Sequence, residues 1–374
     1  MAYVNLSHMP DPKTEYTVDF RKLNGGLNLK ELDYRLDNNE SPAMKNLIWI
    51  DGVLNSRDGQ VWTIEDKSIG AGYAMYERKF NGCLFAHIDD GIYYCDPSVK
   101  NPAWTKLYSN VPLVRGTFFH YFDDLYYKTV GAYIAIRYIA DDGSFTASEV
   151  SGYIPVTVIN ASPENGSGSL YQPENRIQAK KTVKYNAVEG TTVYHLPVQS
   201  IDAVDEVIVD GAVLTVETDY TVNTTEGTVT FTSAPPVTEP RTNNTVIITY
   251  SKANPEAYSS VMDCPYAATY GGTGDLCVVM GGCPAQPNAY FWNGNNIAMD
   301  ATYFPFSQYQ FAGDTDDPIM GFGKQQSYLV ILKRRSVGRT KMDTTTVDDR
   351  LVIDMPYVPI NDRIGCDLPW TIQL

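Results

Sequence analysis

The chain has 374 residues, a formal net charge of −15 and a pI near 4.7. That acidity argues against a stable nucleic-acid binder, which needs basic phosphate contacts, and no apolar run approaches the ~18 residues of a membrane span. The opening, MAYVNLSHMPDPKTEY, is polar and lacks the cationic-then-apolar order of a secretory signal, so synthesis and folding in the cytoplasm are expected.

Aromatic residues make up 12%, with 27 Tyr, which favours strands over helices. The 28 Gly and 22 Pro punctuate the chain as a hairpin-rich fold requires. An all-β protein of two or three domains is expected.

Residues 1–22 read as an extended arm, with Pro10, Pro12 and charged side chains that offer little to bury. Gly25-Gly26 makes a bend. Ser41-Pro42 starts a short helix, because Ser caps orphan N–H groups and Pro is pre-set for the first helical position. Leu47–Ile50, Asp51-Gly52 and Val53-Leu54 then form a tight hairpin, since a type I′ turn needs positive φ at both central residues.

In that order, Gly25–Asn28, Arg35–Pro42 and Asn46–Leu54 resemble the opening of a bacteriophage virion family. These are the β-propeller proteins of the phage tail: tail nozzle proteins and the packaged-DNA stabilisation tail-hub proteins of short-tailed phages. The resemblance implies β-propeller-like antiparallel blades.

Farther along, Tyr76–Asp96 reads as three strands joined by Asn81-Gly82 and Asp89-Asp90-Gly91. Phe118–Val150 repeats the plan, with acidic turns at Asp123-Asp124 and Asp141-Asp142-Gly143. Strands at such spacing suggest a propeller or another antiparallel array. Ala161–Ser169 is read as a flexible linker by composition. Between Ile177 and Lys252 aromatics thin out and Val and Thr alternate, with turns at Asp210-Gly211 and Glu226-Gly227, as in a small β-sandwich. Blade-like text resumes at Asp263–Gly282, Asn288–Pro305 and Asp317–Arg339; the turn at Tyr290–Gly294 and the strand end Lys333–Val337 also resemble the phage family. The expected layout is an arm, helix and hairpin over 1–65, blades over 66–175, an inserted sandwich over 176–253 and further blades over 254–374. Ile364–Trp370 reads as the start of another blade four residues before the last residue, so unusual closure or a truncated chain is expected.

No stretch carries a catalytic signature. The pairs Asp89-Asp90, Asp123-Asp124, Asp141-Asp142, Asp316-Asp317 and Asp348-Asp349 supply the carboxylates that glycoside hydrolysis uses, but Asp before Gly serves the backbone of a turn, and all are read as turns or surface. Ser56–Trp62 falls one residue short of the sialidase Asp-box. Gly271–Asp275 lacks the Gly-Lys-Ser/Thr ending of a phosphate cradle and reads as a hairpin turn. Asp314–Asp317 offers hard oxygens but no regular calcium loop. The cysteines Cys83, Cys95, Cys264, Cys277, Cys283 and Cys366 form no CxxC pair, and His8, His87, His120 and His195 are scattered. Free buried thiols are expected, with no metal and no cofactor. Lys333–Arg335 with Arg339 and Lys341 is the one basic cluster, read as a solvated strand end, with DNA or an acidic neighbouring subunit as alternatives.

No catalytic, cofactor-binding or metal-binding residue is nominated, and an enzyme is not expected. The resemblance implies a structural protein of the phage tail or neck, located in the virion and assembled in the host cytoplasm. It would form a homo-oligomeric ring, sixfold as in nozzles, below the portal and adaptor and beside tail fibre or spike proteins. Its lumen would pass viral DNA without sequence-specific binding and help retain and release the genome. The alternative is a tail-tip propeller that binds a receptor or carbohydrate through loop aromatics.

Overall fold

Short turns that need positive φ set the rhythm of the chain, and the computed structural model follows that rhythm. It describes residues 70–237, 244–271, 276–294, 299–347, 350–369 and 372, and the backbone of four short strands before them. The chain divides into two units, Met1–Thr63 and Ile64–Leu374.

In the first unit β1 (Gly26–Leu27) pairs in parallel with β2 (Glu40–Ser41). β3 (Leu47–Ile50) pairs with β4 (Val53–Ser56) in the antiparallel register Ile50↔Val53 that the Asp-Gly signal predicts. Ser41, expected as a helix cap, belongs to β2; the expected helical turn, the arm and residues 57–62 of the Asp-box-like stretch lie outside the described residues.

The second unit is almost entirely β, as the composition predicts. Sheet one holds β5 (Gly72–Met75), β6 (Leu84–Ile88), β7 (Gly91–Cys95) and β8 (Thr105–Ser109); sheet two holds β9 (Thr117–Tyr121), β10 (Asp124–Thr129), β11 (Ala132–Ile139) and β12 (Ser144–Glu149). Each is an antiparallel meander in chain order. The first strand of sheet one lies before the expected Tyr76–Phe80: the exposed Glu77-Arg78-Lys79 run leaves the ladder, and a single bridge, Phe80↔Cys83, closes the Asn81-Gly82 turn. Asn81 (φ 46°) and Gly82 (φ 85°) supply the left-handed backbone that turn needs.

The sandwich comes next and begins earlier than the expected boundary at 176. Its strands are β13 (Val156–Ala161), β14 (Ser169–Leu170), β15 (Lys180–Tyr185), β16 (Val193–His195), β17 (Ala203–Val209), β18 (Ala212–Val213), β19 (Tyr220–Asn223), β20 (Thr228–Phe231) and β21 (Val246–Ser251). One sheet runs β14-β13-β15-β21-β17-β18 and the other β16-β20-β19. Because β13 pairs in parallel with β15, residues 156–170 belong to the sandwich and not to the meander before it. Ala161–Ser169 is correspondingly not a flexible linker but the turn from β13 to β14. Gly166 donates to the Ser162 carbonyl at 2.8 Å, Asn165 accepts from the Ser167 N–H, and Ala161, Pro163 and Gly166 are buried. Val183, Tyr185, Val207 and Ile248 from one sheet meet Tyr194, Val229 and Phe231 from the other.

After α1 (Pro255–Met262), capped by Asn254 accepting from the Ala257 N–H at 3.1 Å, two more meanders follow. Sheet three holds β22 (Tyr266–Tyr270), β23 (Cys277–Gly281), β24 (Ala289–Trp292) and β25 (Tyr309–Phe311). The expected hairpin over 288–305 is replaced by other pairings: β24 pairs with β23 and β25, and the described residues between β24 and β25 contain no strand. Sheet four holds β26 (Ile319–Gln325), β27 (Tyr328–Lys333) and β28 (Val337–Thr340). The two-stranded hairpin of β29 (Asp343–Val347) and β30 (Arg350–Asp354) precedes its last strand, β31 (Tyr357–Asn361). Described residues 362–369, expected to start another blade, contain no strand; the Cys366 N–H donates to the Lys333 carbonyl at 2.8 Å, tying the segment back to sheet four.

The four meanders stack face to face in chain order, and strand alternation sorts their side chains. On β10, Leu125 and Tyr127 join Phe85 and Ile92 of sheet one, while Tyr126 joins Val278, Met280 and Phe291 of sheet three. On β23, Cys277 and Val279 turn the other way, onto Leu329 and Ile331 of sheet four. Sheets two and three are thus buried on both faces, and their strands lack the apolar–polar alternation of a half-exposed sheet. Tyrosine suits such layers because it fills volume and needs one acceptor for its hydroxyl. Tyr121 donates to the Leu276 carbonyl (2.9 Å), Tyr133 to Ala301 (2.8 Å) and Tyr270 to Ser327 (2.7 Å).

Candidate functional site

The first strands of the four meanders, β5, β9, β22 and β26, lie side by side in that order. They border a half-open cavity of about 370 Å³ lined by Ala74 and Met75, Thr117 and Phe118, Tyr266 and Ala267, and Gly321 and Phe322. Small residues let the backbones converge here: a Cβ on Gly116 would meet the Lys128 carbonyl, and one on Gly321 would meet Ile372. Glu77 and Arg115 bring charge to the lining, and Pro369 and Ile372 of the C-terminal segment complete it. This is a convergence of scaffolding.

The two charge clusters of the sequence turn out to face each other. The register Ile319↔Lys333 brings Asp314–Asp317 against Lys333–Ser336. Lys333, 2% exposed, lies 3.6 Å from Asp317 and donates to the Asp314 carbonyl at 3.3 Å. Asp317 also accepts from the Arg335 N–H (2.7 Å) and the Ser336 hydroxyl (2.5 Å). Burial pushes the Asp317 pKa upward, but these donors and Lys333 outweigh it and hold the carboxyl below its ordinary value. Arg335 reaches Asp316 and Arg334 reaches Asp367 in exposed pairs, while Arg339 covers the Tyr328 ring at 4.2 Å. The basic residues thus brace sheet four, and the acidic loop spends its oxygens on them.

The other acidic pairs behave as turns and cross-strand partners. Asp89 (φ 49°) accepts from the N–H groups of Gly70 and Ala71, Asp90 pairs with Lys106 at 2.7 Å, Asp124 with Arg137 at 2.9 Å, and Asp142 accepts from the Ser144 N–H. Asp348-Asp349 lies outside the described residues, as does most of Gly271–Asp275, which joins β22 to β23. Of the six cysteines, five are buried, Cys366 is half-buried, and none is in a disulfide. Burial raises the Cys264 and Cys277 thiols to about 12. Among the described residues no cluster of three or more metal-ligating side chains forms.

Sequence reasoning missed the buried polar groups that lock the layers. Lys128, fully buried on β10, donates to the carbonyls of Thr129, Met262 (2.8 Å) and Cys264 (2.9 Å), at the C-terminus of α1. Burial lowers its pKa to about 8, while three carbonyls, two of them at the negative end of α1, favour the ammonium. His87 on β6, also fully buried, stacks on Tyr73 and meets the Tyr127 hydroxyl at 2.6 Å through Nδ1, joining sheets one and two. Asn293 joins sheets two and three: it accepts from the Val278 N–H and donates to Tyr121 (3.2 Å) and the Asp300 carbonyl (2.7 Å). Asn175 and Arg176 fasten the sandwich to sheet three. Asn175 donates to the carbonyls of Tyr153 and Thr302, and Arg176 lies 4.7–5.0 Å from the rings of Phe291, Phe306 and Tyr309. The one hint in the sequence is a lone polar residue in an aromatic strand, as in LYYKT and LFAHI.

No protein-family model matches this chain, and no curated protein matches it significantly. Among the described residues no helix is long and apolar enough to cross a membrane.

Proposed function

We propose that this chain is a structural protein of a phage tail or neck, in which the four meanders are blades of a propeller and the sandwich is an insert between the second and third. The observation that carries the propeller reading is the convergence of β5, β9, β22 and β26 on one axial cavity, with successive sheets packed face to face. Radial repetition of four-stranded meanders about shared first strands is how propellers protect their edges. The virion reading rests on the resemblance of Gly25–Asn28, Arg35–Pro42 and Asn46–Leu54 to the phage tail family.

Size decides where DNA would pass. The pocket of about 370 Å³ among the first strands is a half-open niche and not a bore for a duplex, whose major groove alone is ~12 Å wide. A conduit therefore has to run between chains arranged as a ring, not along the axis of one chain. Acidic walls would suit it, because a net charge of −15 gives phosphates little to adhere to. In this reading the role is architectural. Stacked sheets supply rigidity, and portal, adaptor and fibre or spike proteins are the partners.

The test is the native mass of the purified protein, alone and mixed with phage portal–adaptor complexes, together with negative-stain images. Closed rings that dock on the adaptor are expected. A monomer that ignores the adaptor and attaches to host cells would overturn the conduit and favour the receptor-binding alternative.

A further inference from the structure

The first turns of sheets one and two flank a second cavity, of about 540 Å³, whose lining combines exposed aromatic rings with cations. Phe122 is the first residue of the two-residue connection from β9 to β10, where Tyr121 pairs with Asp124. Its φ is +50°, a left-handed conformation that bulky side chains rarely adopt, and its ring is 56% exposed. Neither burial nor backbone preference explains a phenylalanine there; the Asn81-Gly82 turn before β6, with positive φ at both residues, uses residue types that tolerate it. Strain held at an exposed ring is the mark of a position kept for contact with something else. Tyr138, 39% exposed, and the exposed His120 share the cavity, with Arg78 and Lys79 on one side and Asp123 on the other.

We propose that this cavity binds an acidic saccharide. Exposed rings meet the C–H faces of a pyranose, the guanidinium fork of Arg78 matches a carboxylate, and Asp123 accepts from hydroxyls. Arg78 is available for this: among the described residues its ion pair is with the adjacent Glu77 at 3.4 Å, both side chains being more than 70% exposed. Phe122 stands edge-on to Tyr121 (66°), His120 is tilted 55° to Phe80, and Tyr138 is tilted 51° to Phe145. Each ring is thus steadied by a different neighbour while part of it stays exposed. A chain of net charge −15 also disfavours a polyphosphate more than a single carboxylate.

The test is calorimetric titration of the whole chain with glucuronic acid, N-acetylneuraminic acid, glucose and uridine monophosphate. An acidic sugar is expected to saturate the site with a Kd of about 10 mM or tighter, and glucose to bind about tenfold more weakly. F122G should weaken the acidic sugar about tenfold while the thermal midpoint stays level or rises, because glycine relieves the left-handed turn. The double variant R78Q/K79Q should abolish the preference for the acid and leave glucose binding unchanged. Failure of every saccharide to saturate, tighter binding of the nucleotide, or unaltered binding by F122G would each overturn the proposal. Whether the chain forms rings does not enter these measurements.

Discussion

Lys128 and His87 show what single buried polar groups do in a stack of aromatic sheets. Lys128 has backbone carbonyls for acceptors, and removing its ammonium would leave the Cys264 carbonyl without that donor at the end of a helix. Lys128→Met should therefore cost about 2–4 kcal/mol, read as a lower urea midpoint at unchanged slope. His87 responds to pH in the opposite sense from a paired histidine. Burial is the largest influence and lowers its pKa, so the folded protein keeps the ring neutral while an unfolded chain takes up a proton near pH 6.5. The unfolded state then binds more protons, and stability is full above that value and falls as pH drops below it, toward the lower folded pKa. Melting temperatures measured from pH 7.5 to 5 should decline, and His87→Phe should flatten that part of the curve, at the expense of the Tyr127 hydroxyl partner.

Among the elements, the legible ones were those fixed by local chemistry. Asn81-Gly82, Asp210-Gly211 and Asp51-Gly52 announce turns because few residues tolerate positive φ; strands flank the last two, and a single bridge closes the first. Legibility failed where distant chain decides. Ala161–Ser169 has the composition of a spacer, yet it is held because β13 finds β15 and Gly166 fits beneath Leu196 and Pro197. The mutual neutralisation of Asp314–Asp317 and Lys333–Arg335 depends on the register of β26 and β27, which no residue type reveals. The cavity beside Phe122 was equally hidden, since its turn reads only as an acidic connection. The sandwich has a core of its own, so an excised 155–252 segment should unfold as one cooperative transition with sharp, dispersed NMR signals; a non-cooperative melt would show that it leans on sheet three through Asn175 and Arg176.

At the scale of the whole second unit, four antiparallel meanders stacked in chain order leave few long-range decisions to be made, except one. Sheets one and two are joined directly, as are sheets three and four, but the core between sheets two and three unites Tyr126 and Tyr133 with Val278 and Phe291, across the entire sandwich. The sandwich departs and returns at nearly one place: Val156 and Thr249 both pair with Thr182, so its two ends are two strands apart, about 10 Å. An unfolded segment of that length would cost about 4 kcal/mol to close; a folded one holds its ends together already. The insert is therefore a folding splint. If it folds before the second and third sheets meet, damage to its interior should slow that meeting in refolding kinetics while leaving the first two sheets to assemble at their usual rate.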